Sequence, residues 1–526
     1  MLQKKLIQNL NKIISEIRVS ILIVFLTIFS LTITFYYGYI GVFPIDSFLI
    51  YDAGYKLING FHPFKDYWSI TGPILDYIQL FFFKILGVNW FSYVFHSAFI
   101  NFVLTVIFFS FLIKLGLPRI NSFIYSLSMA ILAYPSAGTP FMDHHAVFFS
   151  LIAVLFTILA ITNNKAVYWF LIPFFIFISF LSKQIPSAYL SILIIIFTFF
   201  YKIILKPKSF IFLNYLILGT LTTILIFFSV IIINEISLNN FLIQYFFYPL
   251  EIGNNRGSNI SFDMNIIFFQ FKFIYFSLVP LILVSLIIIK KIKKHENKID
   301  LLVIIFVIFS VIIFIYSQIM TKNQILIFCL IPFCLGISNY YTQKYFNNKL
   351  LITSIFIILI FATFKFHVRF NENKKFMELS GVNLNLAVDA KQISPSLKGL
   401  KWISPYYPNN PLEEIKLINF AKEKILSDNT KKIIITDYQI LPSLIDLKTV
   451  APNKWFDVMS VPTQDNKFFS TYTKFFLKNI NSQKIETIYL ISKKEIYLKR
   501  VFKNECFKTE VLNKKIKKIN IKSCLD

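Results

Sequence analysis

The sequence predicts an all-α polytopic membrane bundle followed by a small C-terminal α/β domain. Three observations carry that expectation. Of 526 residues, 56% are hydrophobic and 18% aromatic, more than a soluble globular protein needs. Apolar runs of roughly 18 or more residues recur, the length a helix needs to cross a bilayer. The Lys/Arg-rich connections fall at every second turn between those runs, as the positive-inside rule requires. The runs occupy residues 1–369, and a more polar segment, 370–526, follows.

Taken in order, residues 1–18 carry Lys4, Lys5, Lys12 and Arg18 and are expected in the cytoplasm. The first span, near 19–42, is too long for a signal-peptide core and has no A-x-A site, so it reads as an uncleaved anchor. Residues 43–72 read as an outer loop with short interfacial helices. Residues 73–87 read as a further interfacial helix, because Asp76 and Lys84 flank one apolar face. Counting that helix as a span would invert everything after it and put the basic loops outside. Ten more spans are expected, near 89–113, 120–136, 141–162, 166–182, 186–205, 210–234, 266–289, 300–318, 324–341 and 350–367, about eleven in all. A loop is expected over 235–264. In the tail, KKIIITDY (431–438) and ETIYLIS (486–492) read as buried strands and LEEIKLINFAKEKIL (412–426) as an amphipathic helix. The tail has no Walker loop and no GxGxxG, so nucleotide binding has no support.

The formal net charge is +26. Basic chains can bind nucleic acid, but here cytoplasmic loops and a Lys-rich tail account for the excess, and no nucleic-acid partner is expected. The abundance of Phe, Ile, Lys and Asn also suits an A+T-rich genome. Cys329 and Cys334 lie in an apolar span and read as packing residues. Cys506 and Cys524 lie in the tail, where an exported setting would let them pair as a disulfide.

The chemistry concentrates in Gly41–Gly87, which sets Asp46, Asp52, Asp66 and Asp76 among aromatics, glycines and prolines. Charge beside a span is costly unless it is solvated or used. Asp46, then Tyr51, Ala53, Gly60, Pro63, Asp66, Tyr67 and the turn Gly72-Pro73-Ile74-Leu75, resembles the first outer loop of the GT-C glycosyltransferases. The branch in question is the bacterial one related to protein O-mannosyltransferases and aminoarabinose transferases. The resemblance is clearest over residues 20–200, and the order of motifs is more specific than any one motif.

That resemblance implies a bacterial inner-membrane enzyme with its N-terminus cytoplasmic and its tail periplasmic. The implied donor is a polyprenyl-phosphate sugar, and the acceptor an envelope glycan, lipid or protein. It places the catalytic carboxylate at Asp46, which would deprotonate the acceptor hydroxyl. The bland alternative is a helix cap before the run FLIY. Asp52 is the fallback base, or a solvated loop charge. A second family carboxylate in the next outer loop corresponds to Asp143, beside His144 and His145. Two carboxylates and a histidine can hold a divalent ion or orient the acceptor. Relatives differ on a metal, so none is assigned. Asp143 as an N-cap is the alternative. Lys183 and Gln184, with Arg256 in GNNRGS, are the expected contacts to the lipid phosphate, since a leaving phosphate needs a cation. Snorkelling is the alternative for Lys183. Tyr51, Tyr55, Tyr67 and Trp68 read as sugar-stacking groups or as interfacial anchors. A transporter would instead carry ionisable residues near the midplane of several spans, and these runs have almost none. The other rivals are a non-catalytic envelope scaffold and a glycan ligase or polymerase of a different membrane fold, which would carry its key residues in a large late loop rather than after the first span.

Overall fold

A computed structural model describes residues 18–134, 138–205, 211–257, 265–290, 295–321, 326–375, 379–457, 459–493, 496–502 and 504–522. Among the described residues, eight helices are long and apolar enough to cross a membrane: Val19–Gly38, Trp90–Leu115, Met142–Asn163, Ser187–Ile204, Phe212–Ile233, Lys272–Lys290, Glu296–Thr321 and Lys349–Glu372. The chain is therefore a multi-pass membrane protein in architecture. The other three expected spans form shorter helices, Arg119–Ala133 (15 residues), Ala166–Phe180 (15 residues) and Leu330–Tyr345 (16 residues). At 1.5 Å per residue these reach about 22–24 Å, short of a bilayer core of about 30 Å.

Apolar side chains all around a helix predict burial in a bundle or in lipid. Met142–Asn163 is the buried axis: nearly all of its side chains are inside, packed against Ala166–Phe180 and Trp90–Leu115. Phe212–Ile233 and Val19–Gly38 keep most of their apolar surface exposed, as lipid-facing helices do. Polar side chains inside the bundle find partners across helices. Asn101 donates to Thr34 Oγ1 and to the Ala130 carbonyl, both at 2.9 Å, and Asn339 donates to the Tyr125 hydroxyl at 2.9 Å. In an apolar medium an unpaired amide would cost several kcal/mol, roughly.

The helix Ile74–Leu86 has 13 residues, too few to cross a bilayer core. Its neighbour Leu49–Ile58 crosses it closely at Gly54, where a Cβ would stand 2.7 Å from Gln79 Cγ. The segment expected as a loop over 235–264 is instead helical as far as it is described. Leu238–Phe241 runs through a π turn, Leu242–Phe247, into Tyr248–Gly257. Ser237 caps its start, its side chain accepting from the Asn240 amide. Residues 258–264 lie outside the described residues.

The tail forms the two strands and the helix expected of it: Lys432–Thr436 (β3), Thr487–Ile491 (β4) and Pro411–Leu426. Two short strands, Val388–Asp389 (β1) and Lys401–Trp402 (β2), precede them, and Phe507–Asn513 (β5) and Ile516–Ile521 (β6) follow. The main sheet has the order β3-β4-β6-β5, with β3 and β4 parallel and the other pairs antiparallel. The helix Phe469–Ser482 lies on the crossover between the parallel pair. Alternation sorts the sheet into two faces. Ile433, Ile435, Ile488, Leu490 and Ile519 pack on Phe469–Ser482. Ile434, Tyr489, Ile491 and Ile516 pack on the other side, in one core with Pro411–Leu426 and with Val42, Phe48, Leu49, Tyr51 and Trp90. Cys506 is buried at the start of β5, and Cys524 lies outside the described residues, so the expected disulfide does too.

Candidate functional site

The end of the bundle that carries the Gly41–Gly87 loop is roofed by the tail, and two backbone stitches hold the roof down. The Gly41 and Val42 amides donate to the Lys401 and Ile403 carbonyls, each at 2.9 Å, and the Lys401 amide donates back to Tyr39 at 2.8 Å. Further on, the Trp68 amide donates to Pro452 at 3.0 Å and the Lys454 amide to Trp68 at 2.9 Å.

Asp46 sits under that roof, half-buried, in the four-residue helix Pro44–Ser47. Proline at the first position starts this turn, and Ser47 Oγ closes it by accepting from the Phe43 amide at 2.9 Å. Asp46 is not the cap of the next helix: Phe48 holds that position, with no side-chain cap bond. Tyr93 of Trp90–Leu115 donates to the Ser47 carbonyl at 2.9 Å and lies within electrostatic reach of both Asp46 and Asp76.

Asp143 opens Met142–Asn163, and Lys183 follows Ala166–Phe180. Their side chains meet in an ion pair, the carboxylate buried and the lysine half-buried. Asp143 is not the N-cap, a place held by Phe141. Met142, its neighbour, packs in the same apolar core as Phe48, so the Asp143–Lys183 pair and the Asp46 turn share one end of the molecule. Gly72 fixes this junction. Its amide donates to the Ser182 carbonyl at 3.3 Å, and a Cβ there would stand 1.7 Å from the Leu181 carbonyl oxygen. Gln184 donates to the Ile70 carbonyl at 3.3 Å and to Tyr245 at 2.7 Å, so its amide ties the first loop to the 242–257 helix. The backbone of Arg256 lies in Tyr248–Gly257, and its side chain is outside the described residues.

Among the described residues, no three His, Cys, Asp or Glu side chains converge as metal ligands. His144 is buried against Tyr134, Phe148 and Phe141, with ring centroids at 4.9, 5.8 and 6.3 Å. The tyrosines expected to stack on sugars are inside the protein. Tyr51 lies among Phe83, Trp90 and Tyr93, with centroids at 4.9, 6.4 and 5.3 Å. Trp68 is enclosed by Tyr248, Tyr472 and Phe475. Their aromatic faces are taken by protein, which makes them core.

A second set of charges is buried where the first loop meets the roof. Asp52 pairs with Lys56 one helical turn on, at 2.7 Å, both side chains 5% exposed. Asp76 pairs with Lys454 at 2.7 and 2.8 Å, with side chains 0% and 2% exposed. Burial raises both carboxyls above their ordinary values, and the lysine partners pull them back. Burial lowers the Lys454 ammonium in the same way. Asp76 and Lys454 stand 378 residues apart in sequence. Nothing local marked Lys454, one lysine in a Lys-rich tail.

No protein-family model matches the chain, and neither does any curated protein.

Proposed function

We propose that the chain is a membrane glycosyltransferase that moves a sugar from a polyprenyl-phosphate donor to a cell-envelope glycan, lipid or protein. The reaction would run on the periplasmic side of a bacterial inner membrane, beneath the tail. One observation carries the reading: Asp46, set in a loop that resembles the catalytic loop of GT-C enzymes, shares its end of the bundle with the Asp143–Lys183 pair.

The chemistry asked of these groups is small. Asp46 accepts the proton of the acceptor hydroxyl as its oxygen bonds to the anomeric carbon. The bond from that carbon to the phosphate oxygen breaks, and the lipid phosphate leaves with its charge. Lys183 stabilises that charge. Asp143 holds the lysine in place before the donor arrives, and the arriving phosphate competes for the same ammonium. Single displacement inverts the anomeric centre.

The test is Asp46→Asn in purified protein. Asn keeps the size and accepts hydrogen bonds but takes no proton at neutral pH. Turnover should fall about 10²–10⁴-fold, the usual contribution of a general base, with thermal stability and donor binding kept. Lys183→Ala should weaken donor binding and also slow the step, because phosphate is present before and during the reaction. Near-normal turnover in Asp46→Asn would move the base to Asp52 or Asp143; full turnover in Asn variants of all three would end the carboxylate mechanism.

A further inference from the structure

Three cations gather where the helix Lys272–Lys290 begins and the last span ends. Lys272 opens the first of these helices. Lys365 lies in the final turn of Lys349–Phe366, and Arg369 in the π turn His367–Glu372 that continues it. This is the end of the bundle under the tail. The π turn is tied to the close of Val19–Gly38, where Tyr37 shares a 2.8 Å hydrogen bond with His367 and Tyr36 donates to Glu372 at 3.1 Å. Lys272 and Lys365 share one ring: their Nζ atoms stand 5.8 and 5.1 Å from the Phe273 centroid. Lys365 is within electrostatic reach of both Lys272 and Arg369.

One lysine at the end of a span snorkels to water and needs no partner. Three like charges in one place repel each other, and a surrounding of low dielectric strengthens the repulsion. A carboxylate among them would relieve it. Among the described residues, no carboxylate pairs with the side chains of Lys272, Lys365 or Arg369. Glu372, three residues past Arg369, faces His367 and Tyr36 instead, at 3.3 and 3.1 Å. Lys272 and Lys365 are half-buried and Arg369 is exposed. The surface running down from them is apolar. Lys272, Phe276, Val279 and Leu283 fall on one helical face, and the last three are exposed. On the other helix Lys365, Phe361 and Ile357 fall on one face, and both apolar side chains are exposed. Phe273 meets Phe361 with centroids 5.8 Å apart, so the two stripes start side by side.

Cations without a counterion at the head of two lipid-facing stripes complement an anion that is itself anchored in the bilayer. An anionic headgroup answers the three charges, and its chains cover the apolar surface. Two stripes suit a lipid with two chains; a single polyprenyl chain would leave one of them bare. We propose that Lys272, Lys365 and Arg369 bind the headgroup phosphate of an anionic glycerophospholipid in the leaflet on the tail's side, with one acyl chain on each stripe. Bound there, the lipid relieves the repulsion and ties the start of Lys272–Lys290 to the end of the last span. The inference needs only the multi-pass architecture, not the transferase reading.

The experiment is native mass spectrometry of the full chain, stripped of lipid in a non-ionic detergent. It is titrated with dioleoyl phosphatidylglycerol, dioleoyl phosphatidylcholine and undecaprenyl phosphate. Phosphatidylglycerol should bind at least tenfold tighter than phosphatidylcholine, which has the same chains and no net charge. A cluster variant, Lys272→Gln with Lys365→Gln and Arg369→Gln, should lose that preference. A control variant removes the same charge from exposed tail lysines, Lys391→Gln with Lys398→Gln and Lys416→Gln, and should keep it. Thermal unfolding adds a second readout. Without lipid the cluster variant should unfold at the wild-type temperature or above it, because the repulsion is gone, and phosphatidylglycerol should raise only the wild type and the control. Equal binding of the two phospholipids, or a preference lost equally in the control, overturns the site. So does a cluster variant less stable than wild type without lipid, since the protein itself would then satisfy the three cations. Undecaprenyl phosphate displacing phosphatidylglycerol from the wild type and not from the cluster variant overturns the two-chain occupant.

Discussion

At the scale of residues, Asp76 and Lys454 show how much one buried pair can decide. A buried pair is not strong evidence of net stabilisation, because removing two charges from water costs several kcal/mol per ion, roughly. Breaking it is a different matter. Lys454→Met leaves the Asp76 carboxylate buried without its cation, and should cost about 3–5 kcal/mol. Asp76→Leu combined with Lys454→Met should recover most of that loss. Thermal unfolding of the three variants in one detergent checks it, and equal stability of wild type and Lys454→Met would show the pair to be solvated in solution. The sequence displayed half of this feature. Asp76 was conspicuous in an apolar stretch, and its partner was not, because ion pairing across 378 residues leaves no periodic trace. The same limit hid the enclosure of Tyr51 and Trp68. An aromatic beside a span looks alike whether its face meets a sugar, lipid or protein.

At the scale of elements, the helix with a clear period and the short buried apolar runs were legible. Pro411–Leu426 stands where its amphipathic period puts it, and β3 and β4 where their short apolar runs put them. The 242–257 segment was missed because its stabilising contacts are tertiary. Ser69 donates its amide to Gln244 at 3.0 Å, and Asn240 donates to the Phe64 carbonyl at 3.1 Å. Within the tail, Asp428 joins three elements. It follows Pro411–Leu426, accepts from Tyr489 of β4 at 2.7 Å, and pairs with Lys518 of β6 at 2.8 Å. Burial pushes its carboxyl up, but Lys518, the Thr430 amide and Tyr489 together hold it below the usual carboxylate range. A depressed folded value means the stabilisation is complete above the unfolded value of about 3.9 and drains away as pH falls below it. The tail should therefore loosen on acidification below about pH 4, and Asp428→Asn should flatten that acid limb. Hydrogen exchange of β4 and β6 between pH 3 and pH 6 reads this directly; an unchanged pH dependence in the variant would assign the acid limb to other carboxylates.

At the scale of the whole molecule, the composition break near residue 370 was plain, and the seam across it was not. The first loop, the roof and the 242–257 helices gather at one end, while Asn164, at the close of Met142–Asn163, marks the other. Single cysteines at the exposed positions Asn164 and Asn410 should label from opposite sides of the membrane, with Asn410 outside. Labelling from the same side would break the topology on which the function rests. The seam itself makes a stronger prediction. Phe48 stacks on Trp402 with centroids 5.6 Å apart, and both sit in one core with Trp90 and Ile434. Deleting residues 379–526 would bare that apolar surface, leave Asp76 unpaired and cut both backbone stitches. Burying a large side chain is worth about 1.5–3 kcal/mol, so losing several at once exceeds the stability of an ordinary domain. The truncated chain should still insert, because its spans are intact, but its Gly41–Gly87 loop should become open to protease and its turnover should vanish. Asp46→Asn separates the two causes of inactivity, since it should lose turnover with that loop protected. If the truncated chain keeps a protected loop and normal turnover, the tail is an accessory and the shared core contributes nothing to the site.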